Sequence, residues 1–147
     1  MGSSSIGFID GSHLFEQALR DFTNLEKHCG PGSLIMFHDT VPLDELTQRR
    51  TPETHFSTGD VWKTILCLRQ YRPDLDVFTI ATPPTGLTLV TGLDPRSTVL
   101  SETYDEALAN YLNTSFAVVE HTLSRDLNVV PNDWDLVATR LKGIAET

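Results

Sequence analysis

The sequence predicts an α/β fold: a mainly parallel sheet, an antiparallel hairpin and a helical C-terminal tail. Three observations predict it. Two short apolar runs, 6–9 and 33–37, flank a stretch of helical period. Each run ends in polar residues, Asp10-Gly11 after the first and His38-Asp39 after the second. Two further β-type runs, 75–81 and 87–91, are joined by Pro83-Pro84-Thr85-Gly86.

The first run reads as a buried parallel strand followed by a turn. Ser12 is placed to cap the next helix, in which Phe15, Ala18, Leu19, Phe22 and Leu25 recur at helical spacing. Cys29-Gly30-Pro31-Gly32 stops that helix, and the second strand follows. A strand–helix–strand crossover of this length implies parallel pairing and right-handed winding. Residues 40–57 are polar, with Pro42, Pro52 and the adjacent Arg49-Arg50. They read as a long loop, of the kind that is functional or disordered in compact domains. Asp60 is expected to cap a helix carrying Val61, Trp62, Ile65, Leu66 and Leu68. Arg72-Pro73-Asp74 reads as a turn, and the two runs after it as a hairpin at the edge of the sheet. Helices are expected at 104–112, 116–123 and 134–144, with Pro131-Asn132 separating the last two.

The length of 147 residues fits one domain. Within it, 1–5 reads as a flexible or appended end, 6–95 as the α/β part and 96–147 as a helical extension. The first five residues lack the basic and apolar regions of a signal peptide. No apolar run approaches the roughly 20 residues that span a bilayer. Eleven Lys and Arg against 20 Asp and Glu leave a formal net charge of -9. Such a chain repels phosphate backbones and anionic lipid, which argues against nucleic acid and membrane as partners. Cys29 and Cys67 lack a CxxC spacing and read by default as buried or half-buried thiols of a cytoplasmic protein, with a disulfide between them as the lesser alternative.

In open α/β sheets, ligands bind beyond the carboxyl ends of the strands. Asp10 there, with His38-Asp39 on the neighbouring strand, forms a set able to hold a hard or borderline divalent cation. His13 follows Asp10 by three residues, at the start of a helix facing the same crevice. An imidazole titrates near neutral pH and suits proton abstraction from a substrate. Asp-Gly and His-Asp after strands also serve as ordinary turn and capping chemistry, and the spacing alone leaves both readings open.

Other candidates have plainer readings. Trp62 reads as core, Lys63 as a solvated lysine, and His55 as a free loop histidine. His28 and His121 read as surface residues. Asn132-Asp133-Trp134 reads as a helix cap followed by a packing aromatic. No GxSxG elbow occurs, which disfavours Ser-His-Asp hydrolysis.

The stretch Phe8-Ile9-Asp10-Gly11-Ser12-His13, with Gly30-Pro31-Gly32-Ser33 and Phe37-His38-Asp39-Thr40, resembles the class I S-adenosylmethionine-dependent methyltransferases. More narrowly, it looks like the small-molecule methyltransferase domains with an IDG-x-H and a later PGG-x-x-x-x-HD pattern. The resemblance covers residues 6 to about 92, and the helical tail more weakly. It implies a partial Rossmann-like sheet whose strands here are the fourth to seventh, the last pair an antiparallel hairpin. It is also similar to metal-dependent catechol-type O-methyltransferases. That similarity implies Asp10, His38 and Asp39 as ligands of Mg2+ or another divalent cation, His13 as general base, and a small-molecule hydroxyl as methyl acceptor. Such domains bind S-adenosylmethionine mainly through a glycine-rich loop after the first strand, and no GxGxG occurs in this chain. The chain therefore resembles the C-terminal half of a methyltransferase domain. The alternative is a non-catalytic, truncated methyltransferase-like domain that dimerises or binds a partner or small ligand. In either case the bare outer edge of strand 6–9 invites pairing with a second copy, as a homodimer or higher oligomer.

Overall fold

The computed structural model describes residues 5–145. The expected end at 1–5 lies, but for Ser5, outside them. The elements run β1 (Ile6–Ile9), α1 (Phe15–Glu26), β2 (Leu34–His38), α2 (Trp62–Tyr71), β3 (Asp76–Ile80) and β4 (Leu87–Thr91). The tail follows as α3 (Val99–Glu102), α4 (Tyr104–Tyr111), α5 (Phe116–Val119), α6 (Leu123–Asp126), β5 (Val129–Val130) and α7 (Trp134–Ala145).

The five strands form one open sheet in the order β1-β2-β4-β3-β5. β1 and β2 pair in parallel, with Ile9 opposite Phe37. β4 lies antiparallel to both β2 and β3. The α/β class is as expected, but the hairpin is not an edge feature. Its second strand is inserted against β2, and its first is flanked by the parallel strand β5. A two-residue strand carries too little periodicity to be seen in sequence.

Alternation along the strands assigns the two faces. Ile35, Phe37, Val77 and Val90 pack with Phe15, Leu19 and Phe22 of α1 and with Ile65 and Leu68 of α2. Phe22 stacks on Phe37 at 5.8 Å between ring centres. Leu100, Ala107, Phe116, Leu123 and Leu127 of the tail join this same core. On the other face Phe78, Ile80 and Leu89 pack under Val137 of α7. Arg140 of α7 lies over the Phe78 ring and pairs with Asp76 at 2.6 Å. The β1 end of that face stays open: Ile6 is 74% and Phe8 54% exposed.

Several local expectations are corrected. Ser12 does not cap α1; Leu14 holds the cap position without a side-chain bond. Asp60 does not cap its own helix, which has Val61 at that position. Its Oδ1 accepts the Phe15 N–H instead, at 2.8 Å, so one carboxylate caps a helix 45 residues away. Lys63 is buried rather than solvated, its Nζ donating to Asp60 Oδ2 and to the Leu112 carbonyl. The segment 116–123 is split into two short helices, α5 and α6. Asp133 does cap α7, accepting the Leu136 N–H, but Trp134 stands 77% exposed and packs no core. Trp62 is fully buried, both thiols are buried and free, and His28, His55 and His121 are exposed. None of the described helices is long and apolar enough to cross a membrane.

Candidate functional site

The parallel register sets up the site. Because Ile9 pairs with Phe37, the residues that follow them, Asp10 and His38, stand side by side at the carboxyl end of the β1–β2 pair, His38 still paired with Leu87 of β4. The chain then turns sharply at each exit. Asp39 has φ 56° and His13 φ 59°, both in the left-handed region. That conformation costs an L-residue about 1–2 kcal/mol, although His and Asp tolerate it better than most. Both turns swing their side chains back over the strand ends.

All four residues singled out in the sequence meet there. His13 Nε2 lies 3.3 Å from Asp10 Oδ1 and 3.1 Å from Asp39 Oδ2. His38 Nδ1 lies 3.6 Å from Asp10 Oδ1 and 3.0 Å from Asp39 Oδ2. Asp10, His13 and Asp39 each offer a potential ligand atom, all within 4.8 Å of one another. Asp39 is buried, while Asp10, His13 and His38 are part-exposed at the surface end.

Two features fit a cation better than an internal salt bridge. A single Nε2–H points in one direction, so His13 cannot satisfy two carboxylates with full hydrogen bonds. His38 Nδ1 is shut off from solvent yet has no hydrogen-bond partner of acceptable geometry. A buried polar atom of that kind carries a cost unless something meets it. Two carboxylates with one imidazole form a mixed O/N set, which suits Mn2+, Fe2+ or Zn2+ more than Mg2+.

The surroundings hold Asp39 in place. Thr85, in the connection between β3 and β4, donates to Asp39 Oδ1 at 2.7 Å. The Val41 N–H donates to the Thr85 carbonyl, tying the exit from β2 to the same connection. Beneath, Thr88 donates to Thr40, and the Thr79 and Thr88 hydroxyls are 2.7 Å apart. Thr85 is the residue that sequence reading missed. It is 46 positions from its partner and lies in a connection that reads only as a turn.

The loop 40–60 adds charge without an open basic patch. Arg49 pairs with Glu45 and Glu53, and Arg50 with Glu16 and Asp60. The Arg50 guanidinium holds the Glu16 carboxyl below its usual range and so keeps it ionised.

No curated protein and no solved structure matches the chain. A family model described as a methyltransferase domain matches residues 2–40. That stretch contains β1, α1, β2 and all four site residues, and it is to the methyltransferase domain that this part of the chain is similar.

Proposed function

We propose that this chain forms the acceptor side of a small-molecule O-methyltransferase domain, with Asp10, His38 and Asp39 as cation ligands and His13 as general base. The observation that carries the reading is the convergence of these four side chains beyond two parallel strand ends, in a segment similar to a methyltransferase domain. On this reading β1 to β4 correspond to the fourth to seventh strands of such a domain. Two parallel strands followed by an antiparallel hairpin support the correspondence.

The side chains divide the work. Asp39, fixed by Thr85, is the anchored ligand. Asp10 and His38 flank it from the neighbouring strand ends. A cation there would lower the pKa of an acceptor hydroxyl and align it for transfer. His13 stands within hydrogen-bond distance of both carboxylates and is placed to take the hydroxyl proton at Nε2. The methyl donor of this enzyme class is S-adenosylmethionine. The described residues do not fit it: none of the described parallel strands leads into the glycine-rich turn that would cradle it.

Calorimetric titration with Mn2+, Zn2+ and Mg2+ tests the cation site. Binding of Mn2+ or Zn2+ at one site per chain is expected, with Mg2+ weaker. Asp39→Asn is expected to reduce that affinity at least tenfold while the far-ultraviolet dichroism is kept. Absence of binding by all three ions sinks the cation reading.

A second reading rests on β1. Among the described residues it is an outer strand of the sheet with one edge unpaired, and Ile6 and Phe8 are exposed beside that edge. Such an edge is a template for a second copy, giving a homodimer whose role is assembly and not catalysis. Light scattering at micromolar concentration distinguishes it. A dimer that Phe8→Glu dissociates supports the reading, and a monodisperse monomer removes it.

A further inference from the structure

The imidazole of His13 reaches the two carboxylates from a backbone held in the left-handed region, at φ 59°. Its carbonyl is met by the far end of the 40–60 loop. Gly59, itself at φ +57°, crosses His13 so closely that an added Cβ would lie 1.8 Å from the His13 carbonyl oxygen and 2.7 Å from its Cβ. The next residue, Asp60, donates its backbone N–H to that same carbonyl at 3.1 Å. The Asp60 carboxylate then takes the Phe15 N–H, the first of α1. Thr64, one turn further, donates its hydroxyl to the Phe15 carbonyl. His13 is therefore gripped on its carbonyl side and again two residues later, by a segment more than 40 positions away.

The grip is itself anchored. Asp60 is 1% exposed, and its Oδ2 receives both Arg50 (2.8 Å) and Lys63 (3.1 Å). The Thr58 and Gly59 N–H groups both donate to the Thr47 carbonyl. The loop that leaves from Asp39 thus returns to His13, and its two ends meet the two left-handed residues of the site.

Building on the site proposed above, we infer that Gly59 and Asp60 are positioning residues for His13: their crossing contact sets the backbone conformation that places Nε2 between Asp10 and Asp39. Gly59 acts through the absence of a side chain, since any Cβ occupies the space of the His13 carbonyl. Asp60 acts through its own N–H and by fixing the first turn of α1. Neither touches a cation or substrate; both act through His13, whose Nε2 contacts the proposed ligand carboxylates of Asp10 and Asp39 and so orients them.

The test reads the histidine directly. Long-range 1H–15N spectra of the metal-free full chain resolve imidazole nitrogens, and the exposed His55 and His121 serve as internal references. In Gly59→Ala and Asp60→Ala, the His13 nitrogens are expected to shift while His55 and His121 keep theirs. Asp60→Asn retains an acceptor for the Phe15 N–H and is expected to restore most of the His13 signal. Mn2+ affinity is expected to fall at least tenfold in Gly59→Ala and Asp60→Ala, and less in Asp60→Asn. Folded variants with unmoved His13 signals and wild-type Mn2+ affinity overturn the inference. If Gly59→Ala unfolds, the Asp60→Ala and Asp60→Asn pair decides alone. Failure of the wild-type chain to bind Mn2+ counts against the cation reading only, because the His13 spectra still report whether Gly59 and Asp60 position it.

Discussion

The two ends of α1 carry two charge clusters built on opposite plans. Near its start, part-exposed Asp10, His13 and His38 surround the buried Asp39; the four are poorly hydrogen-bonded to one another and mounted on two left-handed turns. At its last residue, Glu26 meets Arg72 in a bidentate pair at 2.7 and 2.9 Å. Arg72 also grips Asp74, and the Asp94 N–H donates to Glu26. Glu26 and Arg72 are both buried, and every charge there has a matched partner. On the function proposed above, the difference separates a structural cluster from a ligand-binding one. A satisfied buried cluster fixes how α1, α2 and the β4 exit pack together. A cluster left geometrically incomplete keeps its donors free for something that arrives from outside.

Breaking the buried cluster should have the largest effect. Glu26→Ala leaves Arg72 buried without its main partner and is expected to destabilise the fold by about 3–5 kcal/mol. Urea denaturation measures it. The double substitution Glu26→Leu with Arg72→Met is expected to lose much less, since no uncompensated charge remains. A loss at Glu26 no larger than at an exposed acid such as Glu102 would erase the distinction between the clusters.

At the strand ends the sign should reverse. His13→Gly removes a left-handed L-residue and is expected to stabilise the metal-free fold by about 1 kcal/mol. The same change removes the Nε2 contacts to the proposed ligand carboxylates of Asp10 and Asp39 and is expected to weaken Mn2+ binding. A gain in stability coupled to a loss of ligand is the mark of a site strained for function. Destabilisation by His13→Gly would show that the turn is structural.

The smallest effect concerns pH. The Arg72 guanidinium holds the Asp74 carboxyl below its usual range. Its folded pKa is therefore lower than its unfolded one. The stability it adds is present above the unfolded value, near 4, and is lost as the pH falls through the folded value. Asp74→Asn should flatten the dependence of the urea midpoint on pH below about 4. An unchanged slope would place the acid sensitivity elsewhere, for example at Glu16, which Arg50 also holds low. On the alkaline side, burial pushes the Cys67 thiol up to about 12, so its contribution is complete below the ordinary thiol range and fades as the pH rises toward that value.

Much of this was legible in the chain itself. The apolar runs ending in Asp10 and in His38-Asp39 marked both strands and the side of the sheet that carries the candidate site. The helical spacing of Phe15, Leu19 and Phe22 marked α1 and its buried face. What misled was local capping logic. Ser12 and Asp60 both stand where a cap is expected, yet neither caps the helix it precedes. Asp60 instead serves α1, because the loop before it folds back across His13. Lys63 read as a surface lysine for the same reason: its counter-charge sits one turn earlier and its second acceptor lies in the tail.

The sequence alone determined the α/β class, the strand and helix order through β4, and the four residue types gathered at the strand ends. Those follow from hydrophobic period and from polar residues at strand exits, which are properties of neighbours along the chain. Only the tertiary structure decided that β4 is inserted between β2 and β3, that α7 covers just part of one sheet face, and that Thr85 meets Asp39 while Gly59 and Asp60 meet His13. Each of these depends on contacts between residues about 45 positions apart or more, where pairing is chosen by packing and by the satisfaction of buried polar groups.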